Sequence, residues 1–528
     1  MLEDTRPPSG GALERTSRTI TTFGGDILEF VDLDPDALPE EAFAVVEYPL
    51  AQRLQFVPVA VDDVEVVIAL ADPSNLVVLD DLRIRLAPRA VRFVASDPEI
   101  IANVLARWAR RIARREEEAA VKELRTDASD EKEVAEASDD DGKMAKLVAS
   151  ILEQAVNAGA SDVHIEPGEA ALAVRFRVDG VLQDHSSYPL SLATGIVSRV
   201  KVMAGMDIAE RRVPLDGRFH RRLANREIDC RVVSIPTSTG LEGAVVRLLD
   251  QSRSQLTLSD VGFHSEVGDA FLKLLDMPHG MILVTGPTGS GKTTTLYASL
   301  GQVARPDRKV FTVEDPVEIR FPAVSQVQVN EKAGLTFANA LRSFLRADPD
   351  VILVGEIRDA QTAALAAQAA LTGHLVLSTL YTNEASGAPT RLSNMGLEGF
   401  IIASALKGVL SQRLLRRLCK RCAAPKAAPE GVDEELGFSI AGLEVPQRFW
   451  AANPKGCEHC RNGYKGRVVT AELVVVNDAI ASAIVERAPS NEIERLAREA
   501  GNRSMHHDAL QWLIDGETSI EEIQRVGV

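Results

Sequence analysis

The sequence predicts an α/β protein whose central domain is a mostly parallel β-sheet wrapped by helices. Two observations support this fold class. From residue 255 to 415, short apolar runs alternate with helix-like stretches, as in a doubly wound sheet. Within that block the glycine-rich segment GPTGSGKTTTLY follows the apolar run MILVT and precedes a segment with few helix breakers. With 528 residues, the chain is long enough for about three to five domains.

The glycine-rich segment has the spacing of a phosphate-binding P-loop. Gly286, Gly291, Lys292 and Thr293 fit the pattern G-x-x-x-x-G-K-[ST] between a predicted strand and a predicted helix. Glycines let backbone N–H groups turn toward one anion, the lysine reaches the β- and γ-phosphates, and the threonine hydroxyl ligates Mg²⁺. We therefore expect ATP and Mg²⁺ as cofactors. The predicted nucleotide-binding residues are Gly286, Pro287, Thr288, Gly289, Ser290, Gly291, Lys292, Thr293 and Thr294.

The formal charge of −17 argues against a nucleic-acid binder, because such proteins carry a basic surface that replaces phosphate counterions. Much of this charge is local: residues 116–141 hold twelve acidic and three basic residues. This run is typical of a solvated linker or a frayed helix. The sequence contains no signal peptide and no apolar run of about 18 residues. We expect a cytoplasmic protein that contacts membranes only through partners.

Composition and patterning divide the chain into successive segments. Residues 28–112 indicate a small α/β domain, residues 143–252 alternate a helix with strand-like pieces, and the four cysteines lie after the P-loop block. The predicted segments are a disordered N-terminus (1–27), a partner-binding domain (28–112), an acidic linker (113–142), an α+β domain (143–252), the P-loop domain (253–415), a four-cysteine insertion (416–466) and a helical C-terminal part (467–528).

Three polar patches follow or precede apolar strands of the P-loop block. Glu314 follows VFTV, where open parallel sheets bind ligands, although an exposed acidic turn would give the same pattern. Glu356 comes one residue later than the usual acidic position after VILV, and is the best candidate to orient or deprotonate a water molecule. His374 begins another apolar strand, and a lone histidine in such a position is more often structural than catalytic.

The cysteines predict a structural zinc site. Cys419 and Cys422 form one C-x-x-C pair, and Cys457 and Cys460 form a second, with 34 residues between the pairs. Two such pairs match a tetrahedral four-thiolate site, and a cytoplasmic location disfavours the alternative of two disulfides. Cys230 is more simply a buried strand residue.

The motifs GPTGSGKTTTLY, TVEDPVE, ILVGEIRD and TGHLVLSTLYTN, in this order, resemble the secretion ATPases that power type II secretion and type IV pilus assembly. ASDVHIEP, VRFRVDGVL, VPLDGRF and IDCRVVSIPT resemble the preceding domain of that family. The resemblance implies a RecA-like P-loop domain after a PAS-like α+β domain. It also implies that Glu314 and Glu356 serve Mg²⁺ and water, that His374 lies near the γ-phosphate, and that Arg218 and Arg231 reach the nucleotide.

The sequence departs from the family pattern at one position. Tyr381 stands in STLYTN where the family usually has a histidine, and a phenol carries no positive charge near neutral pH. The Arg-Leu-Gly-rich repeats by which some relatives bind cyclic di-GMP are not found. The four-cysteine insertion is usual in the export and assembly branches, so the resemblance favours those branches over pilus retraction.

Three functional hypotheses follow. The first is a homo-hexameric ATPase motor, recruited to the inner-membrane face by the cytoplasmic domain of a platform or assembly protein. The second is a nucleotide-gated structural adaptor with little turnover, and the presence of Glu356 favours the motor over it. The third, a DNA-moving ATPase, is disfavoured by the acidic charge and the cysteine pairs.

Overall fold

The computed structural model describes residues 13–21, 27–34, 38–72, 76–127, 137–251, 257–460 and 462–528. The chain forms two compact units. One comprises Met1–Ala158 and Tyr188–Val202, and the other comprises Gly159–Ser187 and Met203–Val528. None of the helices in the described ranges is long and apolar enough to cross a membrane.

The N-terminal part contains a five-stranded sheet in the order β1-β2-β5-β4-β3. Its elements are β1 (Leu13–Thr21), β2 (Ile27–Leu33), α1 (Glu40–Phe43), α2 (Tyr48–Leu54), β3 (Phe56–Val61), β4 (Glu65–Leu70), α3 (Leu76–Leu86), β5 (Ala90–Ala95), α4 (Pro98–Asp127) and α5 (Ala137–Asn157). The β4 sequence EVVIAL is buried over its last five residues, as expected of a strand with neighbours on both sides.

Helix α4 covers this sheet with one apolar face. Its sequence places Ile101, Val104, Leu105 and Trp108 at helical spacing, and all four side chains are buried in the N-terminal core. The helix continues to Asp127, so that residues 113–127 of the predicted acidic linker are helical, as the frayed-helix alternative allowed. Strand β1, which pairs antiparallel with β2, lies within the segment 1–27 that the sequence predicted to be disordered. That prediction is wrong for the nine residues of β1, because they form a ladder with an apolar neighbour.

The next sheet has six strands in the order β8-β7-β6-β11-β10-β9. Its elements are β6 (Ala160–Pro167), β7 (Ala171–Val178), β8 (Val181–Pro189), α6 (Ala193–Met203), β9 (Leu215–Leu223), β10 (Arg226–Pro236) and β11 (Glu242–Asp250). Alternate residues of β10, among them Cys230, are buried, which is the pattern of a strand with one face in a core. Cys230 is therefore a core residue, as predicted.

The largest sheet has seven strands in the order β14-β13-β15-β16-β12-β17-β20. Its first elements are α7 (Leu258–Val261), α8 (Ser265–Leu275), β12 (Gly280–Thr285), α9 (Lys292–Val303), β13 (Val310–Glu314), β14 (Ser325–Gln328), α10 (Phe337–Phe344), β15 (Val351–Val354), α11 (Ala360–Leu371), β16 (Leu375–Leu380), α12 (Gly387–Asn394), α13 (Gly399–Ala405) and β17 (Leu406–Leu418). All neighbouring pairs among β12 to β17 are parallel, in agreement with the predicted parallel sheet.

The C-terminal part completes this sheet. Its elements are β18 (Ala424–Ala427), α14 (Val432–Leu436), α15 (Phe438–Ala441), β19 (Arg448–Ala451), β20 (Tyr464–Val475), α16 (Asp478–Val485), α17 (Ser490–Glu499), α18 (Met505–Ile514) and α19 (Ile520–Val526). Strand β20 pairs antiparallel with β17 over most of its length. The segment predicted to be helical, 467–528, therefore also supplies the last strand of the sheet.

Candidate functional site

The P-loop joins the buried strand β12 to helix α9 at the carboxyl edge of the large sheet. Gly286 and Gly291 adopt φ angles of 133° and 89°, which favour glycine. A Cβ atom on Gly286 would lie 2.4 Å from the backbone oxygen of Gln412, so that no larger residue fits. The Lys292 ammonium donates to the carbonyl oxygens of Gly286 (2.8 Å) and Pro287 (2.9 Å). Burial lowers its pKa, and the negative charge of Glu356 opposes that shift.

Gln412 of β17 fastens this loop from the neighbouring strand. Its amide nitrogen donates to the backbone oxygen of Ser290 at 2.7 Å, and its amide oxygen accepts from the Thr295 hydroxyl at 2.8 Å. All three residues are buried. Gln412 was not predicted from the sequence, because it lies outside the motifs. A glutamine at a fully buried strand position signals a required hydrogen bond.

The loop is suited to phosphate oxygens. The hydroxyls of Ser290 and Thr285 are buried and have no hydrogen-bond partner among the described residues. Thr293 is exposed at the start of α9 and lines a cavity of about 80 Å³ together with Glu314 and Asp315. The residues present therefore fit a nucleotide phosphate with an associated divalent cation.

Glu356 lies beside this loop with both carboxylate oxygens engaged. One oxygen accepts from the Tyr381 hydroxyl at 2.9 Å, and the other pairs with the Arg358 guanidinium at 2.6 Å. Glu356 itself is 8% exposed. The Lys292 ammonium lies 5.1 Å from the centroid of the Tyr381 ring. The structure thus brings the predicted lysine and the predicted carboxylate to one place, with Tyr381 and Arg358 between them and solvent.

Glu314 lies at the same edge, but it is held by protein groups. Its oxygens accept hydrogen bonds from Tyr297 and from Thr312 and Gln326, the last two at 2.5 and 3.1 Å. Burial and the Glu314 charge raise the pKa of Tyr297, so that its hydroxyl stays a donor. Glu314 is therefore a buried carboxylate with three protein donors rather than the exposed acidic turn that the sequence also allowed. Its role toward Mg²⁺ and water stays a prediction.

His374 lies at the opposite edge of the sheet. In the parallel ladder Leu375 pairs with Gly280 and Leu380 pairs with Thr285, so that His374 precedes the first residue of β12 and Tyr381 adjoins the P-loop. Six residues of strand separate the two positions by about 20 Å. The His374 ring contacts the carbonyl oxygen of Ala369 at 2.9 Å. The expectation that His374 approaches the γ-phosphate is wrong, because it starts its strand rather than ends it.

The two predicted arginines face each other across a strand pair. Arg218 of β9 is opposite Arg231 of β10, and Arg231 is opposite Arg247 of β11. These three arginines, with Pro316 of the segment after β13, line a cavity of about 650 Å³. Like charges at opposed positions destabilise a sheet, so a row of arginines needs a compensating anion.

Two carboxylates offset part of this charge. The Arg231 guanidinium lies 3.9 Å from Glu318, and that of Arg247 lies 3.0 Å from Asp162. Burial raises the pKa of Glu318, and the charges of Arg231 and Arg247 oppose that shift. Arg218 is exposed in the cavity. Arg247 was not predicted from the sequence, because its only signal is the strand register.

The four cysteines form one cluster. Their sulfur atoms all lie within 4.8 Å of one another, and the cross-pair distances are 3.7 Å (Cys419 to Cys457) and 3.5 Å (Cys422 to Cys460). No disulfide joins them. Four thiolates at zinc-ligand distance would be about 3.8 Å apart, so the cluster has the size of a tetrahedral metal site.

Comparison with known proteins identifies the family. Residues 137–525 match the family described as type II/IV secretion system protein. The chain belongs to this family. Residues 28–114 match the MshEN domain. The family predicted from the motifs, and with it a P-loop ATPase, is thereby confirmed.

Several relatives align over most of the chain. The type II secretion system protein E of Xanthomonas campestris is 40% identical over 504 residues, which cover 95% of this chain and 88% of the relative. The type IV pilus assembly ATPase PilB of Myxococcus xanthus is 40% identical over 506 residues, 94% and 87% of the two chains. The type II secretion system ATPase E of Vibrio cholerae is 47% identical over 390 residues, 74% and 76%.

Solved structures agree on the fold. The ATPase DotB of Yersinia pseudotuberculosis superposes with a TM-score of 0.55 at 19% identity, over 72% of this chain and 92% of that one. The DotB of Legionella pneumophila gives 0.53 at 23% identity, over 71% and 94%. The predicted fold, a RecA-like P-loop domain with a preceding α+β domain and a four-cysteine cluster, is confirmed.

Proposed function

We propose that this chain is a cytoplasmic motor that hydrolyses ATP to ADP and phosphate and drives type II protein secretion or type IV pilus assembly. The observation that carries the proposal is that Glu356 and Lys292 both lie against Tyr381 at the carboxyl edge of the sheet. The relatives include both secretion ATPases and pilus assembly ATPases. Their names therefore support type II secretion and type IV pilus assembly equally.

The residues of the chain would divide the work as follows. Lys292 would exchange the two loop carbonyls for the β- and γ-phosphate oxygens, since an ammonium is better neutralised by an anion than by carbonyl dipoles. Thr293 and the acidic residues of the adjoining cavity would hold Mg²⁺, which neutralises charge on the phosphates. Glu356 would orient the attacking water and accept its proton.

The decisive experiment compares the parent protein with Glu356→Gln. The amide keeps the shape of the side chain but cannot accept a proton, so ATP affinity should change by less than about threefold while turnover falls by about a hundredfold or more. Calorimetry and phosphate release measure the two quantities. A parent protein that binds ATP but does not hydrolyse it would favour the second candidate, a nucleotide-gated adaptor. That candidate is supported by the contacts of both Glu356 oxygens with Tyr381 and Arg358, because these contacts compete with a water molecule.

We further propose a homo-hexamer in which ring packing fixes the arginine row relative to the P-loop. Arg218 and Arg231 line one cavity together with Pro316, which directly follows Glu314 and Asp315. An arginine on the transition-state phosphate contributes about a thousandfold in rate in other P-loop enzymes. Activity per chain should therefore rise with protein concentration as rings assemble.

The assembly proposal is tested by a dilution series with oligomer state followed in parallel. Arg218→Ala and Arg231→Ala should remove most of the rise while sparing ATP binding. Arg221→Ala, on the same strand as Arg218 but three residues away and on the other face, is the matched control. Activity per chain that stays flat while rings dissociate to monomers would contradict the coupling.

The proposed partner is the cytoplasmic domain of an inner-membrane platform or assembly protein, which would recruit the chain to the membrane face. Two features support this proposal. No helix in the described part of the chain can span a membrane, and the formal charge of −17 disfavours nucleic acid and anionic lipid as direct partners. Addition of that domain should raise ATP turnover.

We propose zinc as the metal of the cysteine cluster, because four thiolates in tetrahedral size suit Zn²⁺. One equivalent should copurify, and Cys457→Ser should release it while ATP affinity changes by less than about twofold. Cys230→Ala removes a thiol from another sheet and should keep the metal. Metal analysis that finds no zinc in protein purified without chelators would refute the assignment.

A further inference from the structure

Tyr381 contacts both halves of the proposed active site. The register of β16 against β12 places it beside the first residue of the P-loop. Its hydroxyl donates to Glu356, and the face of its ring lies near the Lys292 ammonium. The side chain is nevertheless 49% exposed, so that it is not held there as part of the core.

The second carboxylate oxygen of Glu356 pairs with Arg358, whose side chain is 61% exposed. The two donors differ in kind. Arg358 is an exposed cation, whereas Tyr381 is a neutral group that directly follows the buried strand β16. Of the two, the tyrosine ties the carboxylate to the strand beside the P-loop, because it directly follows β16, which pairs with β12.

Orientation matters for a carboxylate that activates water. A general base must lie within hydrogen-bond reach of the proton that it removes, and a displacement of about 1 Å can lower the rate about a hundredfold. Rotation of Glu356 about its side-chain torsions would produce such a displacement. A donor that holds one oxygen leaves the other lone pairs available to a water molecule.

The hydroxyl is also a donor that does not titrate near neutrality. Burial, followed by the contact with Glu356, raises the pKa of Tyr381 above its ordinary value of about 10. An imidazole at this place, with an ordinary pKa of about 6.5, would change its charge within the physiological range. The phenol therefore keeps its donor proton near neutral pH.

We propose that Tyr381 is a positioning residue that fixes Glu356 for water activation through the hydrogen bond that its phenolic hydroxyl donates. The inference rests on the proposed ATPase function and assigns to Tyr381 a part of that reaction. It predicts that the phenolic hydroxyl affects turnover and not ATP binding.

The test uses the full chain and four variants: Tyr381→Phe, Tyr381→His, Glu356→Gln and the double variant Tyr381→Phe/Glu356→Gln. Tyr381→Phe should lower kcat about tenfold to a hundredfold, with ATP affinity and KM within about twofold of the parent. In the Glu356→Gln background the same change should have no further effect, because the residue that it positions is already lost. A purely structural role would lower both backgrounds alike.

Tyr381→His supplies the second readout. Its kcat, divided by that of the parent at each pH, should vary at least threefold between about pH 5.5 and 8, because the imidazole titrates there. The corresponding ratio for Tyr381→Phe should stay constant. The ratios cancel the titration of ATP itself. Tyr48→Phe, which removes a hydroxyl from the N-terminal domain, is the matched control and should keep kcat within about twofold.

The outcomes separate this inference from the proposed function. A Glu356→Gln variant that hydrolyses ATP at the parent rate would contradict both the role of Glu356 in the proposed function and the role of Tyr381. A Glu356→Gln variant that loses turnover, beside a Tyr381→Phe variant within twofold of the parent kcat, would overturn only the role of Tyr381. Loss of ATP affinity in Tyr381→Phe with unchanged kcat would also overturn it, since the tyrosine would then bind nucleotide rather than position the carboxylate.

Discussion

The two edges of the seven-stranded sheet differ in what their side chains contact. At the carboxyl edge, side chains from separate strands and α9 bond to one another: Tyr381 to Glu356, Tyr297 to Glu314, and Thr295 to Gln412. At the amino edge, several side chains contact backbone groups instead, and Lys309 donates to the Ser325 hydroxyl at 3.0 Å. Asp350 accepts from the backbone nitrogen of Lys309, and His374 contacts the carbonyl oxygen of Ala369.

This difference indicates that the carboxyl edge binds and converts the nucleotide, whereas the amino edge stabilises the fold. Contacts between side chains of different strands fix groups that face a common space, as the ligand-binding edge of a parallel sheet requires. Contacts to backbone close loops and satisfy polar groups, and they can be made by any residue with a donor or acceptor. The comparison therefore predicts that substitutions at the carboxyl edge affect nucleotide chemistry and that those at the amino edge do not.

The largest effect is expected at Lys292. Lys407 makes the same kind of contact at the opposite edge and serves as its control. Lys292 donates to carbonyls of the P-loop, and Lys407 donates to the carbonyl of Ser404 at the start of β17. Lys292→Ala should weaken ATP binding at least about a hundredfold, because the phosphates lose their ammonium. Lys407→Ala should change it less than about twofold. Calorimetric titration with ATP measures both, and equal losses in the two variants would break the comparison.

An intermediate effect is expected at Gln412. Its replacement by leucine leaves the buried Thr295 hydroxyl and Ser290 carbonyl without their partner, at a cost of about 2–4 kcal/mol for the two groups. Because these groups shape the P-loop, ATP affinity should fall about tenfold and the thermal midpoint should drop. Thr295→Val in the Gln412→Leu background should cost less than in the parent. Independent, additive losses would show that Gln412 does not organise the loop.

The smallest effect is expected at His374. Gln retains a donor and an acceptor at the contact with Ala369, and the position lies about 20 Å of strand away from the P-loop. His374→Gln should therefore leave kcat and ATP affinity within about twofold of the parent. A tenfold loss of kcat with normal thermal stability would mean that the amino edge also takes part in the chemistry, and the contrast between the edges would be lost.

Sequence reasoning located the P-loop, Glu356 and the cysteine pairs because their signals are local. Glycine spacing, a lysine after the second glycine and a carboxylate after four apolar residues can all be read within one short segment. The error at His374 was avoidable. It precedes LVLSTL rather than follows it, and only the carboxyl ends of parallel strands meet at the ligand-binding edge.

Other parts of the site required the fold. Gln412 and Thr295 are 117 residues apart in the sequence and meet only because β17 lies next to β12. Arg247 joins Arg218 and Arg231 through strand register, which a single sequence does not define. The predicted domain boundaries stay a prediction, since the compact units follow different divisions of the chain.

Strand β17 runs from Gln412, which bonds to the P-loop, to Leu418, which precedes the first cysteine of the cluster, with a register shift between Arg416 and Leu418. Its partner β20 returns along the same path and makes the pair a two-stranded ribbon. The six residue steps from Gln412 to Leu418 span about 20 Å. A tilt of about 5° at the sheet would swing the cysteine cluster by about 2 Å. The strand pair thus connects the P-loop to the cysteine cluster, so that a tilt at the nucleotide site would move the cluster.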